Sequence, residues 1–264
     1  GAQSQDILGA WSWQGKKEEA IFLVAGAQKL TTNLLVAQEP FDYFEPTAAA
    51  IEEALTLASQ ADKVVVALGE TDWMSGEAAS RSDIRLPEKQ LAVVAQIIEK
   101  NPNVVVTVYS GRPLDLQGID VAKGIVQAWQ PGTEGGNALA EILWGEYNPS
   151  GRLSMSFPET VGQVPIFYNV DNTGRPYESA PEEKYVSKYL DVSNYAKYPF
   201  GFGLSYSHFS YQPIQLSALT FTKEQPVTVS VLVRNDSPIA GEETVQFYVR
   251  DLVGQVVRPI KELK

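Results

Sequence analysis

Residues 64–83 read VVVALGETDWMSGEAASRSD. The β-branched run Val64 to Val66, bounded by Gly69, has the composition of a fully buried strand. A polar loop follows, carrying acids, a tryptophan and an arginine, before a helix opens at Pro87. Loops that leave the carboxyl ends of parallel strands are where α/β proteins place chemistry. Glu77 is therefore the first candidate, as a proton donor.

Outward from this stretch, helix and strand patterns alternate. Upstream, the apolar spacing fits a helix over Lys16 to Leu30, and Asn33 to Ala37 has the makings of a short strand. Pro46 and Thr47 mark a helix start with Thr47 as N-cap. Ile51, Ala54, Leu55 and Ala58 then share one face. Downstream, Pro87 and Glu88 open a helix whose Leu91, Val94, Ala95 and Ile98 share a face. Asn101-Pro102-Asn103 turns the chain, and Val104 to Tyr109 and Gly124 to Trp129 are two more buried strands. This order predicts an α/β fold with a mostly parallel sheet flanked by helices on both faces.

Pro131-Gly132-Thr133-Glu134-Gly135-Gly136 leads into a helix from Asn137 to Trp144 that Gly145 ends. It lacks the lysine and hydroxyl residue of a nucleotide loop, so it reads as a tight strand-to-helix turn. After Asn148-Pro149-Ser150-Gly151 the texture changes. Arg152 to Phe157 alternates as a strand, and residues 158 to 200 form a long aperiodic tract of the kind that serves a function or covers a neighbouring domain. Beyond Tyr211 the pattern is β: Val227, Val229, Val231 and Val233 alternate with polar neighbours, as do Val245, Phe247 and Val249. A truncated all-β segment is expected there, because a complete sandwich takes about 100 residues. The expected division is a lead-in segment over 1–15, an α/β domain over 16–213 and a partial β domain over 214–264.

Composition excludes several classes. The 264 residues are 44% apolar, enough for a sizeable core. A net charge of -11 and a pI near 4.7 argue against nucleic acid, whose binding draws on clustered Lys and Arg. With no cysteine there are no disulfides, thiolate zinc sites or cysteine nucleophiles. No apolar run approaches the length that crosses a bilayer, and no membrane partner is expected. His208 is the only histidine, which leaves a triad or histidine-rich metal site almost nothing to use. No metal and no cofactor is expected.

Several long stretches, taken together and in order, carry a resemblance. GETDWMSGEAASRSDI, SGRPLDL, WQPGTEGGNALAEILWGEYNPSGRLSMSFP, NTGRPY and YPFGFGLSYSHF occupy residues 69–84, 110–116, 129–158, 172–177 and 198–209. They resemble the C-terminal α/β sandwich domain of glycoside hydrolase family 3, most closely the bacterial periplasmic β-glucosidases, and the last 50 residues look like the opening of that family's fibronectin type III-like domain. The resemblance implies a retaining β-glucosidase built from two domains. An aspartate nucleophile would come from an N-terminal barrel of the same protein, and the acid/base glutamate, from the GEAxSR pattern, falls on Glu77. The implied substrates are β-linked glucosides or oligosaccharides, the implied location is periplasmic or secreted, and homodimerisation is left open.

The resemblance also sets limits. The barrel is not in this sequence, so these residues are expected to be inactive alone. Thr71-Asp72-Trp73 resembles the Ser-Asp-Trp sequence of the family nucleophile, but that sequence lies in the barrel, and the role is not carried to Asp72. Trp73, Met74 and Arg81 are the candidates for the substrate pocket. A tryptophan or methionine is more often packing, and a cation beside a general acid would oppose its function. Arg81 is accordingly expected to pair with Asp83 or another acid. Glu70 is expected to order the loop through backbone hydrogen bonds, Arg112 and Glu134 to tie strand ends to turns, and Asn172 to Tyr177 to be a rim segment or a plain connection. The competing reading is a non-catalytic packing or sugar-binding module, with a β-xylosidase-type member as a variant of the first; nucleotide binding comes third.

Overall fold

The structure, a computed structural model, describes residues 2–264; Gly1 of the expected lead-in segment lies outside them. Its centre is a three-stranded parallel sheet of β1 (Val64–Gly69), β2 (Val104–Tyr109) and β3 (Gly124–Trp129), with β2 in the middle. β1 and β2 run in register from Val64 opposite Val104 to Gly69 opposite Tyr109. The β2–β3 register slips between Val108 and Tyr109. All three strands are those expected from their apolar runs.

Because strand side chains alternate between faces, the sheet divides its valines between two cores. Val104, Val106 and Val108 are fully buried on one face, with Val64 and Val66 beside them. Helices α2 (Ala48–Gln60) and α3 (Glu88–Lys100) cover that face through Ala58, Val93, Val94 and Ile97. Val65, Ala67 and Val126 face the other way, against Leu23 and Ala27 of α1 (Leu23–Leu30) and Leu139 and Ala140 of α4 (Gly135–Trp144). Full burial of Val104, Val106 and Val108 contributes about 1.5 to 3 kcal/mol each. Helices thus flank both faces, as the alternation of patterns implied.

Local signals explain the helix ends. Thr47 Oγ1 accepts from Ala50 N–H at 3.1 Å, the expected N-cap. Gly145 closes α4 in the left-handed conformation, at φ 80°. The Gly135-Gly136 pair has a packing purpose: a Cβ on Gly136 would stand 2.3 Å from the carbonyl oxygen of Ile21. The turn that superficially resembles a phosphate loop lets α1 and α4 touch.

Four expectations are corrected. The helix over 16–30 is instead a 3-10 turn at Lys17–Glu19 followed by α1 from Leu23. Ile21 is drawn out of helical geometry because its N–H donates to Thr133 O and its carbonyl accepts from Gly136 N–H, both at 2.8 Å. Residues 33–37 form no strand and have no ladder partner; the nearby backbone is served by side chains, Gln3 Nε2 donating to Ala37 O and Glu53 accepting from Gln38 and Glu39. Residues 152–157 make only the single bridge of Phe157 with Tyr198. The buried face of α3 is Gln90, Val93, Val94 and Ile97, which leaves Ala95 exposed.

The lead-in segment folds against this same unit, with Ile7 buried in the α1–α4 core. Residues 158–200 are irregular apart from short 3-10 turns. Beyond them come three antiparallel pairs: β4 (Phe209–Tyr211) with β7 (Val233–Asn235), β5 (Gln215–Leu216) with β6 (Val229–Ser230), and β8 (Tyr248–Val249) with β9 (Glu262–Leu263). Val229, Val231, Val245, Phe247 and Val249 all stay exposed.

Candidate active site

β1 and β2 end side by side, and what leaves them builds one cluster. Gly69 sits at φ 136°, and a Cβ there would lie 1.9 Å from Tyr109 O, so only glycine lets the two strand ends approach this closely. The next residue, Glu70, donates its N–H to Tyr109 O at 2.8 Å and turns its side chain inward to 1% exposure. Glu70 Oε1 lies 2.8 Å from Arg81 Nη1 and 3.1 Å from Arg112 Nε, the latter out of line for a hydrogen bond. Glu70 Oε2 accepts from Gly111 N–H at 3.3 Å. The one buried carboxylate is thus paired with two guanidiniums, which is how its buried charge is made tolerable. The expected backbone bond is present, and the ion pairs are additional to it.

The loop between Thr71 and Asp83 is anchored along its length. Asp72 opens a 3-10 turn, Asp72–Met74, and Lys17 Nζ donates to its Oδ2 at 2.6 Å. Trp73 projects at 67% exposure, its ring 6.1 Å from that of Phe44, whereas Met74 is buried. Gly76 and Ala78 both have positive φ, 132° and 58°, so the backbone doubles back around Glu77. Glu77 is exposed at this tip and has no side-chain partner among the described residues.

Arg112, from the loop after β2, reaches under the tip. Its Nη2 donates to Met74 O at 2.5 Å and to Ala79 O at 2.7 Å. On the outer side the lead-in segment packs against the same loop, since a Cβ on Gly76 would stand 2.8 Å from Ala10 Cβ. These ties join residues more than thirty positions apart, so no local pattern signals them. The bond from Lys17 to Asp72 belongs to the same class and was likewise not legible in the sequence.

Arg81 takes an acid, and the acid is Glu70 rather than Asp83; its Nη2 also donates to Arg85 O at 2.9 Å. Asp83 is instead held by Arg85, whose Nη2 donates to Oδ2 at 2.6 Å. That guanidinium, through its hydrogen bonds first, pushes the Asp83 carboxyl down to about 2. Arg81 is thus committed to the interior of the loop.

The remaining sequence candidates lie elsewhere. Glu134 precedes α4 and accepts from Asn137 Nδ2 at 2.5 Å, a local tie. His208 is exposed in the tail, and Asn172 to Tyr177 is an irregular stretch, exposed over 172–175, that leads into a 3-10 turn at Tyr177–Ser179. Among the described residues no cluster of three or more His, Asp or Glu side chains could hold a metal ion, and no helix is long and apolar enough to cross a membrane. The site offers an unpaired carboxylate on a braced loop that also carries an exposed indole. Chemically it can donate and accept a proton at a surface that another group would have to complete.

Comparison with known proteins agrees on one lineage. The sequence model described as glycosyl hydrolase family 3 C-terminal domain matches residues 1–206. A periplasmic β-glucosidase of Salmonella typhimurium is 38% identical over 287 residues, covering 100% of this chain and 38% of the relative. A β-xylosidase of Formosa agariphila is 36% identical over 214 residues, 80% of this chain and 28% of its own length. Among solved structures, the β-glucosidase of Listeria innocua in complex with gluconolactone superimposes with a TM-score of 0.92 at 38% identity, over 100% of this chain and 36% of that one. The chain thus spans under two fifths of the length of the relatives it matches.

Proposed function

The chain belongs to the C-terminal domain family of glycosyl hydrolase family 3, and from that premise we propose that it is the C-terminal part of a retaining, exo-acting β-glucosidase in which Glu77 is the general acid/base. The observation that carries this reading is the state of Glu77: exposed and unpaired, on a tip whose backbone is tied from below. A surface glutamate without a task has no need of such bracing. A proton donor that must meet a glycosidic oxygen does.

The chemistry runs in two steps. The protonated Glu77 gives its proton to the glycosidic oxygen while an aspartate of the upstream barrel attacks the anomeric carbon; the C–O bond to the aglycone breaks, and an alcohol and a glycosyl ester result. The Glu77 carboxylate then takes a proton from water, the oxygen of that water attacks the same carbon, and the ester breaks to release the β-configured sugar and the aspartate. Retention requires the two carboxyls about 5 to 5.5 Å apart. A second domain seated over the C-terminal ends of β1 and β2 would meet that requirement.

In this reading Trp73 rims the aglycone side of the pocket, Met74 underpins it from the core, and Arg81 keeps the loop in place. Residues 214–264 are the opening strands of a fibronectin type III-like domain, residues 16–213 the α/β sandwich domain and 1–15 its lead-in. The full protein acts on β-linked glucosides in the periplasm or outside the cell. The sugar ring would be held chiefly by the barrel, so a β-xyloside is the alternative substrate within the same mechanism.

Two measurements test the reading. In the full-length enzyme, Glu77→Gly should retain activity on aryl glucosides with good leaving groups and gain rate on addition of azide, which replaces water as the nucleophile that needs no base. Residues 1–264 alone should not turn over an aryl β-glucoside. Absence of both the leaving-group effect and the azide effect would remove Glu77 from the mechanism.

A further inference from the structure

We propose that Arg112 is the positioning residue for the general acid/base: it sets where Glu77 stands by clamping the two flanks of its loop, and buried Glu70 locks the clamp. The inference rests on the acid/base reading of Glu77 and adds to it a residue that touches neither substrate nor the reacting atoms.

From Gly76 to Ala79 the backbone makes a single turn closed by a long hydrogen bond, Ala79 N–H to Gly76 O at 3.3 Å, and Ala78 within it sits at φ 58°, a conformation that is unfavourable for any residue with a Cβ. Such a turn persists only where its surroundings over-determine it. Ala10 packs on the outer side at Gly76, and from below both flanks of the turn are held by one side chain. Arg112 Nη2 spends its two protons on the carbonyls of Met74 and Ala79, three residues before Glu77 and two after it. These bonds fix the width of the loop's base, and the base sets the height and direction of the tip.

The clamp is itself fixed on its far side. Arg112 Nε faces Glu70 Oε1 at 3.1 Å, and the carboxylate, 1% exposed, also holds Arg81. The main chain of Arg112 is tied as well: Ser110 Oγ donates to Arg112 O at 2.7 Å, and Gln127 Nε2 of β3 donates to Ser110 Oγ at 3.0 Å. The chain of contacts runs from β3 through Ser110 and Arg112 to the flanks of Glu77. A planar guanidinium can address a carboxylate along one edge and two carbonyls from another. An ammonium group can carry the charge but cannot reproduce that fork.

The test uses the full-length enzyme, with kcat/KM reporting the glycosylation step. Two β-glucosides differing in leaving group are compared: 2,4-dinitrophenyl, which departs without a proton, and phenyl, which needs one. Arg112→Ala should lower kcat/KM for the phenyl glucoside about 100-fold, the scale expected of a catalytic group misplaced by an ångström. The dinitrophenyl value should stay within about threefold, because nothing that reaction uses has been moved. Arg112→Lys should fall between wild type and Arg112→Ala, and it carries the same comparison if Arg112→Ala does not fold. In a Glu77→Gly background, Arg112→Ala should cost less than about threefold further on either substrate, since a residue acting through Glu77 has nothing left to position.

Equal losses on both glucosides, or a loss that simply multiplies that of Glu77→Gly, would reduce Arg112 to a structural tie and overturn the proposal while leaving Glu77 in its role. If Glu77→Gly itself shows neither leaving-group dependence nor azide response, the acid/base reading fails first and the positioning role falls with it.

Discussion

The side-chain amide of Gln90 makes both hydrogen bonds available to the peptide groups of Gly69: Nε2 donates to the carbonyl at 3.1 Å and Oε1 accepts from the N–H at 3.0 Å. β1 is an edge strand of the three-stranded sheet, so the outward groups of its last residue have no ladder partner. A glutamine from α3 serves as that partner, and it does so while buried at 3% exposure. Strand end, Glu70 and the loop beyond are thereby fixed from the α3 side as firmly as from β2. Replacement by leucine would strand a buried N–H and a buried C=O, each costing about 1 to 3 kcal/mol. Gln90→Leu is expected to lower stability by about 2 to 5 kcal/mol in urea unfolding. A loss under about 0.5 kcal/mol would mean that the two groups find other partners.

Tyr109 supplies a pH dependence. Burial, the dominant cause, pushes its phenol up to about 12. The folded state therefore holds this proton where the unfolded chain, near pH 10, gives it up. Stability from this group is complete below pH 10, and it is lost as the pH rises from 10 through 12. A shift of that size corresponds to about 2 to 3 kcal/mol. Unfolding midpoints measured from pH 8 to 12 should fall more steeply for the wild type than for Tyr109→Phe, which has no proton to lose. Parallel curves would show that the phenol titrates as it does in the unfolded chain.

The tail is joined to the α/β unit by a short polar chain. Arg152 Nη2 donates to Glu243 Oε2 at 2.5 Å, and Tyr211 donates its hydroxyl to Glu243 Oε1 at 2.6 Å. The arginine and glutamate side chains are only 12% and 16% exposed, so removal of one leaves the other poorly solvated. Glu243→Ala should cost up to about 3 kcal/mol, the low end for a broken buried pair. Amide exchange should locate the effect, rising at β4 and β7 with the β1–β3 amides unchanged. Glu243→Gln, which keeps one acceptor oxygen for Arg152 and can donate its amide to the Tyr211 hydroxyl oxygen, should cost less.

How far the sequence carried depended on how local each signal is. β1, β2 and β3 were legible because a parallel strand buried on both faces must be an apolar run, and Thr47 because an N-cap acts within its own first turn. Residues 33–37 and 152–157 have strand composition too, but a strand exists only if a partner edge is free, and periodicity carries no record of partners. The α3 face was misjudged by about one position, Gln90, Val93 and Ile97 being buried where Leu91, Ala95 and Ile98 were expected, since the helix turns Gln90 inward to satisfy Gly69, a demand that arises elsewhere in the chain. At the site, the GEAxSR pattern singled out Glu77, and charge logic anticipated an acid for Arg81. Which acid it would be, and that Arg112 would bracket the loop, depended on β1 and β2 ending side by side.

Trp73 and Met74 are adjacent in sequence, and the fold sends them in opposite directions, which makes them a matched pair for separating packing from recognition. Met74 is 8% exposed, and Met74→Ala should cost about 2 to 5 kcal/mol as a core truncation. Trp73 is 67% exposed and leans on Phe44 alone among rings, so Trp73→Ala should change stability by no more than about 1 kcal/mol. If Trp73 rims the aglycone side, its loss appears in binding: KM for aryl and disaccharide β-glucosides should rise about tenfold in the full-length enzyme, with kcat changed far less, because stacking on a flat apolar face serves ground state and transition state alike. Methyl β-glucoside, which presents almost no aglycone to stack, should be nearly indifferent to the change. An equal rise in KM for all three substrates would move Trp73 out of the aglycone site, and an unchanged KM would leave it a surface residue with Phe44 for company.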